Sequence, residues 1–241
     1  MKTSRHLLLN KLAVDIKISD VFFDLDHTLW DFEKNSALAF GAIFEKYQIG
    51  VDLDTFLKHY IPVNVRYWQL YQYDKVTQQE LRYGRLREVF DLLDYEISDE
   101  MILLLSVDYI TFLPQFNHLF DGAIEILEYL NSKYKLHIIT NGFHEIQHNK
   151  LKNSNIGHYF QTITNSETAG VKKPNALIFE HAINLAKTTK QNSIMIGDSL
   201  DADIHGALDF GLDAILFSEN PTVTAPNIKQ INHLLSLKKY L

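Results

Sequence analysis

The sequence of 241 residues contains no cysteine. Without thiols the chain cannot form disulfide bonds, thiolate metal sites or a cysteine nucleophile, so metal binding and catalysis must rest on other side chains. The absence of cysteine is also more typical of the reducing cytosol than of secreted proteins. We therefore expect a cytoplasmic location.

Basic residues are in the minority, because 23 lysines and arginines face 30 aspartates and glutamates for a formal net charge of −7. A nucleic-acid-binding surface needs a clustered excess of positive charge, so we expect no nucleic-acid partner. The ten glycines do not form the loops G-x-G-x-x-G or G-x-x-x-x-G-K-S/T. Their absence excludes the usual dinucleotide and Walker-type phosphate sites.

Long apolar runs are also missing, since no stretch reaches the roughly 18 residues that a membrane helix needs. We expect no membrane partner. The N-terminal segment 1–14 places basic residues before Leu7, Leu8 and Leu9, as a signal peptide does. However, Lys11 interrupts the apolar run and no small-residue cleavage site follows. We predict a helical lead-in there instead.

What is present suffices for a folded core, because 46% of the residues are hydrophobic, 12% are aromatic and only 22% are charged. This composition excludes a disordered chain or a coiled coil. The length exceeds that of one average domain, which is about 100–200 residues. We therefore predict one main domain that carries a sizeable insertion.

Five short apolar runs, rich in β-branched or aromatic residues, predict buried strands. Helical patterns lie between the later runs. This alternation predicts right-handed βαβ units, and hence an α/β fold with a Rossmann-like parallel five-stranded core sheet flanked by helices. The predicted strands cover 21–24, 136–140, 161–164, 194–197 and 214–217, and the predicted helices cover 123–134, 143–153, 176–187 and 202–210.

More than a hundred residues separate the first predicted strand from the second, far more than an ordinary crossover needs. This stretch has helical patterns throughout, and Thr77 and Glu80 have the spacing of a capping box. We predict an inserted four-helix cap domain, residues 35–117, over a discontinuous core formed by residues 1–34 and 118–241. The helical patterns cover 35–47, 54–73, 77–93 and 99–113, and a further one covers the tail, 227–241.

Polar side chains cluster around the ends of three predicted strands. Ligands bind beyond the carboxyl ends of parallel strands, so these side chains should share one edge, although any single aspartate there is more often a helix cap. Crowded carboxylates need a cation among them, and oxygen ligands without thiols indicate Mg²⁺. With a hydroxyl and a lysine nearby, such a site is typical of phosphoryl transfer. The residues are Asp24, Asp26, Thr28, Thr140, Asn141, Gly142, Lys173, Asp198 and Asp203.

Four motifs, in this order, resemble those of the haloacid dehalogenase-like (HAD) hydrolase superfamily. They are Asp24-Leu25-Asp26-His27-Thr28, Thr140-Asn141-Gly142, Lys173-Pro174, and Gly197-Asp198-Ser199 with Asp203. The resemblance spans residues 20–220, and the insertion directly after the first motif is similar to the helical cap of the superfamily's first subclass. The strings TLWDF, TNGF and GDSLDADIHGA most resemble the pyrimidine 5′-nucleotidase branch.

The resemblance implies a role for each matching residue. Asp24 would be the nucleophile that forms an aspartyl-phosphate, and Asp26 would be the general acid and base. Lys173 would neutralise the charge that develops on the phosphoryl group, while Thr140 and the amide of Asn141 would bind phosphoryl oxygens. The Mg²⁺ ligands would be Asp24, the backbone carbonyl of Asp26, Asp198 and, in support, Asp203.

The resemblance therefore implies a Mg²⁺-dependent phosphomonoester hydrolase whose partner is a small phosphorylated metabolite, with a pyrimidine nucleoside 5′-monophosphate as the expected substrate. A sugar-phosphate phosphatase or a phosphomutase would use the same chemistry and stays an alternative. A dehalogenase needs no second acidic residue, so Asp26 argues against it. A non-enzymatic phosphate-sensing module would be expected to lose the nucleophile or the lysine, and both are present.

Substrate choice is expected to depend on the inserted helices. Residues 60–73 are rich in aromatic side chains that could stack on a nucleobase, although aromatic residues at helical spacing more often pack between helices. The candidates for substrate specificity are Trp68, Arg85 and, within the first motif, His27. We expect a monomer or a weak homodimer.

Overall fold

The computed structural model describes residues 17–220 and 226–241. Its centre is a six-stranded parallel sheet with the strand order β3-β2-β1-β4-β5-β6. The predicted α/β fold is confirmed, whereas the helical lead-in predicted for 1–14 lies outside the described residues. The strands are β1 (Asp20–Phe23), β2 (Lys135–Thr140), β3 (Phe160–Asn165), β4 (Ser193–Gly197), β5 (Asp213–Phe217) and β6 (Lys229–Ile231).

Strand β1 lies at the centre of the sheet and is buried along its whole length. It pairs with β2 on one side and β4 on the other, so that Phe23 is in register with both Ile138 and Ile196. The chain builds the sheet outward from β1 to β3 and then returns to add β4 on the other side. Ligands bind at such a reversal of strand order, beyond the carboxyl ends of the strands.

Four long helices follow β1 and form the insertion, as predicted, and one more helix precedes β2. The capping box at Thr77 and Glu80 is present. The first helix begins at Phe32 rather than at residue 35, because the Asp31 side chain accepts a hydrogen bond from the N–H of Lys34. No helix in the described parts of the chain is long and apolar enough to span a membrane. The helices are α1 (Phe32–Tyr47), α2 (Leu53–Gln72), α3 (Gln78–Leu92) and α4 (Asp99–Phe112).

An aromatic cluster packs between these four helices. Phe40 of α1 stacks on Tyr109 of α4 with ring centroids 4.5 Å apart and meets Tyr60 of α2 edge-on at 4.6 Å. Phe90 of α3 contacts Phe56 of α2 at 5.5 Å. All five rings are buried. Aromatic pairs of this kind contribute about 0.5–1.5 kcal/mol each beyond their buried area, and these rings belong to the same buried cluster as Val21 and Phe23 of the sheet.

The remaining helices cover both faces of the sheet. Alternate residues of β1 face opposite sides, since Val21 and Phe23 join the core that includes α5 and Phe22 joins the core that includes α8. These helices are α5 (Ala123–Asn131), α6 (His144–Asn153), α7 (Ser166–Ala169), α8 (Ala176–Ala186) and α9 (Gly206–Phe210).

The chain enters α9 through a π-helical turn, Leu200–His205, where the sequence predicts an ordinary α-helix from residue 202. The carboxylate of Asp203 accepts a hydrogen bond from the N–H of Ser199 at 3.0 Å and so folds back over the start of the turn. Hydrophobic periodicity does not reveal this wider turn. Single π-helical turns are frequent at functional sites.

The prediction of a helix over 227–241 is wrong. Residues Lys229–Ile231 form β6, which pairs with β5 and makes the sheet six-stranded rather than five-stranded. A 3₁₀ helix, Leu234–Lys239, follows and buries Leu234 and Leu237. Residues three apart lie on one face of a 3₁₀ helix as well as of an α-helix, so the apolar spacing does not distinguish the two.

Candidate active site

Three carboxylates meet at the carboxyl edge of the sheet. Asp24 directly follows β1, Asp198 directly follows β4, and Asp203 lies in the π-helical turn after it. One carboxylate oxygen of each lies within 4.8 Å of those of the other two. The N–H of Asp24 donates to the carbonyl of Ile196 at 2.9 Å, which keeps Asp24 in register with β4. The structure thus brings together the aspartates that the sequence places at the ends of two strands.

Lys173 lies among these carboxylates and is almost fully buried, with 2% of its surface exposed. Its Nζ atom donates to Asp24 Oδ1 and Asp203 Oδ1, each at 2.6 Å, and to the carbonyl of Ile139 at 2.8 Å. An ammonium group has three donors, and all three are used. The side chain of Asn141 fixes the lysine backbone by accepting from its N–H at 2.8 Å and donating to its carbonyl at 3.0 Å.

Burial raises the pKa of two carboxyl groups at this site, those of Asp24 and Asp198. The pKa of Asp24 lies well above its usual value, because burial and the neighbouring carboxylates outweigh the attraction of Lys173. Burial and the charge of Asp203 raise the pKa of Asp198 to about 7. Burial alone would lower the pKa of Lys173, but Asp203 and Asp24 hold it above its usual value. A bound cation would relieve the repulsion between the carboxylates.

The three aspartates are not equivalent. Both oxygens of Asp203 are already hydrogen-bonded, one to Lys173 and the other to the N–H of Ser199 at 3.0 Å. Asp198 accepts one hydrogen bond from the hydroxyl of Thr28 at 3.2 Å. Asp203 is therefore placed to hold the lysine and the turn, and Asp24 and Asp198 are better placed to bind a cation directly.

Thr140 ends β2 at the same edge. Its hydroxyl oxygen accepts hydrogen bonds from the N–H of Gly142 at 3.0 Å and from Gln147 Nε2 at 2.7 Å. A hydroxyl oxygen accepts two hydrogen bonds and donates one. Because both acceptor positions are occupied, the hydroxyl hydrogen is left to donate to a group in the pocket that Thr140 lines.

Two further residues, Gln147 and Lys150, contact the site and were not predicted. Lys150 Nζ lies 2.5 Å from Asp26 Oδ1, and Gln147 Nε2 lies 2.8 Å from Asp26 Oδ2. Burial lowers the pKa of Lys150, although Asp26 opposes the shift. Helix α6 is polar along most of its length, so no apolar pattern singles these residues out. The available signal is their spacing of three, which puts them on one helix face directly after the 140–142 loop.

A cavity of about 380 Å³ lies between the sheet edge and the inserted helices. The predicted core residues Asp24, Asp26, Thr140, Asn141, Lys173, Asp198 and Asp203 line it, together with His27 and Trp68. From the insertion, α2 also contributes Asn64, Val65, Gln69, Tyr71 and Gln72. The cavity is therefore charged at the sheet edge and aromatic and polar on the opposite wall.

Arg85 does not line this cavity. It is buried in the insertion, donates from Nη1 to Asn64 Oδ1 at 2.7 Å, and lies over the ring of Tyr109 at 5.0 Å. It borders an adjoining cavity of about 30 Å³, which Trp68 and Asp26 also line. A cavity of that size holds water but not a nucleobase.

His27 lies in the first motif with a left-handed backbone, φ 62°. Burial lowers the pKa of its imidazole, although the nearby carboxylate of Glu33 opposes the shift. Its ring packs against Phe32 with centroids 4.9 Å apart. This places the imidazole at the wall of the cavity, between the aspartates and the start of α1.

The inserted helices contact the sheet domain directly. Asp201 accepts hydrogen bonds from Gln72 Nε2 and from the hydroxyl of Tyr73, each at 2.6 Å. The ring of Trp68 packs against Phe143 with centroids 5.4 Å apart. These contacts hold the insertion over the carboxylates.

An aspartate at the end of the central strand, with a lysine and two further aspartates against it and helices inserted above, is the arrangement of haloacid dehalogenase-like enzymes. The chain belongs to this family, because the family's sequence model, described as haloacid dehalogenase-like hydrolase, matches residues 21–217. The prediction of a hydrolase is therefore confirmed.

Known proteins are similar to this chain along most of its length. The magnesium-bound crystal structure of YfnB from Bacillus subtilis superposes with a TM-score of 0.84 and 28% identity over 93% of this chain and 99% of that one. The pyrimidine 5′-nucleotidase PynA from Streptococcus pneumoniae is 32% identical over 86% of this chain and 88% of its own. The glyceraldehyde 3-phosphate phosphatase from Methanothermobacter thermautotrophicus is 30% identical over 84% and 86%, respectively. The predicted resemblance to pyrimidine 5′-nucleotidases is confirmed.

Proposed function

We propose that the protein is a Mg²⁺-dependent phosphomonoester hydrolase that forms an aspartyl-phosphate on Asp24 and prefers pyrimidine nucleoside 5′-monophosphates. The observation that carries the proposal is the position of Lys173, with Nζ 2.6 Å from both Asp24 and Asp203. A buried cation beside a carboxylate nucleophile can neutralise the charge of a phosphoryl group during its transfer.

The residues at the sheet edge fit Mg²⁺. Carboxylate and carbonyl oxygens are the ligands that this ion prefers, and the raised pKa values of Asp24 and Asp198 indicate that their negative charges are poorly compensated. Asp24, Asp198 and the backbone carbonyl of Asp26 would hold the ion, with Asp203 in support. When bound, Mg²⁺ would polarise the phosphoryl oxygens and neutralise part of their charge.

In the first half of the proposed reaction, a carboxylate oxygen of Asp24 attacks phosphorus and the bond from phosphorus to the ester oxygen breaks. Asp26 donates a proton to the leaving oxygen. The Thr140 hydroxyl and the amide of Asn141 bind the phosphoryl oxygens, while the charge of Lys173 neutralises part of theirs. The products are the free alcohol and a phosphorylated Asp24.

In the second half, water hydrolyses the phosphorylated Asp24. The now ionised Asp26 takes a proton from water, whose oxygen attacks phosphorus as the bond from phosphorus to Asp24 breaks. Inorganic phosphate leaves and both aspartates return to their starting states. One carboxylate thus serves as acid in the first half and as base in the second.

The preference for pyrimidine nucleotides is supported by the similarity to PynA and by the shape of the cavity. A volume of about 380 Å³ lies within the range of about 300–1,000 Å³ that is usual for small-molecule sites. Trp68 and His27 line its walls and could stack on a planar base, which contributes about 1–3 kcal/mol. Arg85 would affect substrate specificity indirectly, because it donates a hydrogen bond to Asn64, which lines the cavity.

A sugar-phosphate phosphatase is the second candidate, because the relative from Methanothermobacter thermautotrophicus is named for that activity. The sheet edge binds only the phosphoryl group, so it does not distinguish the two substrate classes. A phosphomutase would also share this edge, but would return the phosphoryl group to a sugar rather than to water. The cytoplasmic location and the absence of nucleic-acid or membrane partners stay predictions.

The deciding experiment measures phosphate release with Mg²⁺ from UMP, dTMP, glucose 6-phosphate and glyceraldehyde 3-phosphate. We expect kcat/KM for the two nucleotides to exceed that for the sugar phosphates about tenfold to hundredfold, the range that one stacking contact supplies. The result that favours the sugar phosphatase is a higher kcat/KM for either sugar phosphate. No phosphate release from any substrate would contradict the proposal of a phosphomonoester hydrolase.

A further inference from the structure

The carboxylate of Asp26 is held at both of its oxygens by one face of helix α6. Lys150 donates to Oδ1 at 2.5 Å and Gln147 donates to Oδ2 at 2.8 Å. A carboxylate that is bound at both oxygens has a fixed plane, whereas one bound at a single oxygen can rotate. The two donors therefore determine where the proton-accepting oxygens of Asp26 point.

Lys150 is buried, with 2% of its surface exposed, and its ion pair is with Asp26. Its ammonium lies over the ring of Trp30 at 4.3 Å and over that of Phe32 at 5.3 Å. Removing an ammonium group from water is costly unless it is paired, and the aromatic faces fix the angle at which it approaches. The position of Lys150 is thus set by aromatic packing as well as by its ion pair with Asp26.

Gln147 joins Asp26 to the phosphate-binding loop. The same Nε2 atom that donates to Asp26 donates to the Thr140 hydroxyl at 2.7 Å. The amide oxygen, Oε1, is buried without a hydrogen-bond partner among the described residues. The reverse orientation of the amide would place its oxygen, an acceptor, against the Asp26 carboxylate. The hydrogen bond to Asp26 therefore stabilises the observed orientation by more than the unpaired Oε1 costs.

Gly142 leaves the space that the Gln147 side chain needs to contact both Asp26 and Thr140. A Cβ atom at residue 142 would lie 2.1 Å from Gln147 Nε2 and 2.5 Å from its Cδ. Any larger residue at this position would displace the Gln147 amide. The Gln147 side chain therefore gives one reason for a glycine at position 142, in addition to the tight loop itself.

We propose that Gln147 and Lys150 are positioning residues that hold the Asp26 carboxylate toward the leaving oxygen, and that Gln147 fixes Thr140 toward the phosphoryl group at the same time. The inference rests on the proposed function, in which Asp26 protonates the leaving group. It predicts that substituting either residue slows the reaction of a substrate whose leaving oxygen needs a proton. The same substitution should have little effect on a substrate whose leaving oxygen needs none.

The test compares Lys150→Met and Gln147→Leu with the wild type on two substrates in single turnover. The nucleoside of UMP is a poor leaving group that needs a proton, whereas the dinitrophenolate of 2,4-dinitrophenyl phosphate leaves without one. We expect both variants to release uridine at least thirtyfold more slowly, since general acid catalysis contributes 10²–10⁴-fold. The single-turnover release of dinitrophenolate should stay within threefold of the wild-type rate.

Gln147→Leu should in addition raise the inhibition constant for inorganic phosphate about threefold to tenfold, because it also frees the Thr140 hydroxyl. Lys152→Met, which changes an exposed lysine of the same helix, is the matched control and should leave all rates unchanged. Far-ultraviolet circular dichroism checks that each variant is folded. Gly142→Ala gives a second test, since it displaces the Gln147 amide without removing a donor, and it should show the same difference between substrates.

Equal slowing on both substrates would overturn the proposal, because it would mean that the two residues only support the site. Unchanged uridine release would overturn it as well. If the wild type hydrolyses no phosphomonoester, the proposed function fails and the positioning role fails with it. If the wild type hydrolyses only the dinitrophenyl ester and some other alkyl phosphate, only the nucleotide preference fails, and that alkyl phosphate replaces UMP in the comparison.

Discussion

Asp24 combines three functions in one side chain, because it is the proposed nucleophile, a proposed metal ligand and a partner of Lys173. Asp24→Asn keeps the shape of the side chain but removes the charge and the nucleophilic oxygen. We expect turnover of the best substrate to fall at least a thousandfold, measured as phosphate release with Mg²⁺. Asp121→Asn, at an exposed aspartate, is the control. Retention of a tenth of the wild-type activity would exclude Asp24 as the nucleophile.

His137 makes stability depend on pH at a point remote from the site. It is buried in β2, with Nε2 3.0 Å from Asp20 Oδ1 and Nδ1 2.8 Å from the hydroxyl of Thr162. Burial lowers the pKa of its imidazole, although Asp20 opposes the shift. Below about pH 6.5, His137 therefore binds a proton more readily in the unfolded chain than in the folded chain. Stability from this residue is fully present above that pH and is lost as the pH falls.

Urea unfolding between pH 7.5 and 5.5 measures this effect. One such group changes the free energy of unfolding by at most about 1.4 kcal/mol per pH unit. His137→Gln should show a smaller loss of stability on acidification than the wild type, and the same change at exposed His158 serves as the matched control. An equal or larger loss in His137→Gln would show that His137 is not the group responsible.

At the scale of a secondary-structure element, helix α3 depends on its capping box. Thr77 and Glu80 satisfy two N–H groups at the start of the helix that would otherwise be unpaired. Thr77→Ala should lower the free energy of unfolding by about 0.5–2 kcal/mol in urea titration, with kcat unchanged. Thr111→Ala, at an exposed threonine in α4, is the control for loss of the side chain alone. A change below 0.3 kcal/mol, a threshold set well under the usual cost of a lost cap, would contradict the capping role.

How far the sequence predicts the structure differs between elements for physical reasons. The buried strands are predictable because short β-branched runs leave few other choices, and Asp24 and Asp198 follow two of them directly. The π-helical turn is not predictable, because it depends on a hydrogen bond from the Ser199 N–H to Asp203 rather than on apolar spacing. Gln147 was missed for a related reason, since its burial results from tertiary contact within a polar helix.

Arg85 shows the corresponding limit in the insertion. The sequence identifies it as a cation near aromatic residues, but only the fold shows that it is buried behind Asn64 rather than exposed to the larger cavity. The spacing of residues along a helix indicates on which face of the helix a side chain lies, but not how far it lies from a ligand. Trp68, one helix earlier, does reach the cavity.

At the scale of the whole molecule, Asp201 joins the insertion to the sheet domain. Its carboxylate accepts hydrogen bonds from Gln72 and from Tyr73, both at the end of α2. Hydrogen bonds to a charged group contribute about 1.5–3 kcal/mol each when buried, and these exposed ones should contribute less. Asp201→Ala should raise KM about threefold to tenfold with kcat within twofold, because the closed arrangement becomes less populated.

Small-angle X-ray scattering provides the second measurement for Asp201→Ala. The mean radius of gyration should increase, and Asp209→Ala, at an exposed aspartate of α9, should leave both KM and the radius unchanged. A raised KM without any change in the radius would mean that Asp201 acts on the substrate rather than on the position of the insertion.

The central place of β1 has a consequence for the order of folding. Its partners in the sheet, β2 and β4, lie more than a hundred residues further along the chain, whereas the four helices of the insertion pack against one another within a stretch of about 80 residues. Pairing over such separations is slow, because a long loop must close before any contact is gained. During synthesis the insertion should therefore fold before β1 pairs with β2 and β4. Pulsed hydrogen exchange during refolding should show amides of α1–α4 protected before those of β1, and the reverse order would mean that the sheet forms first.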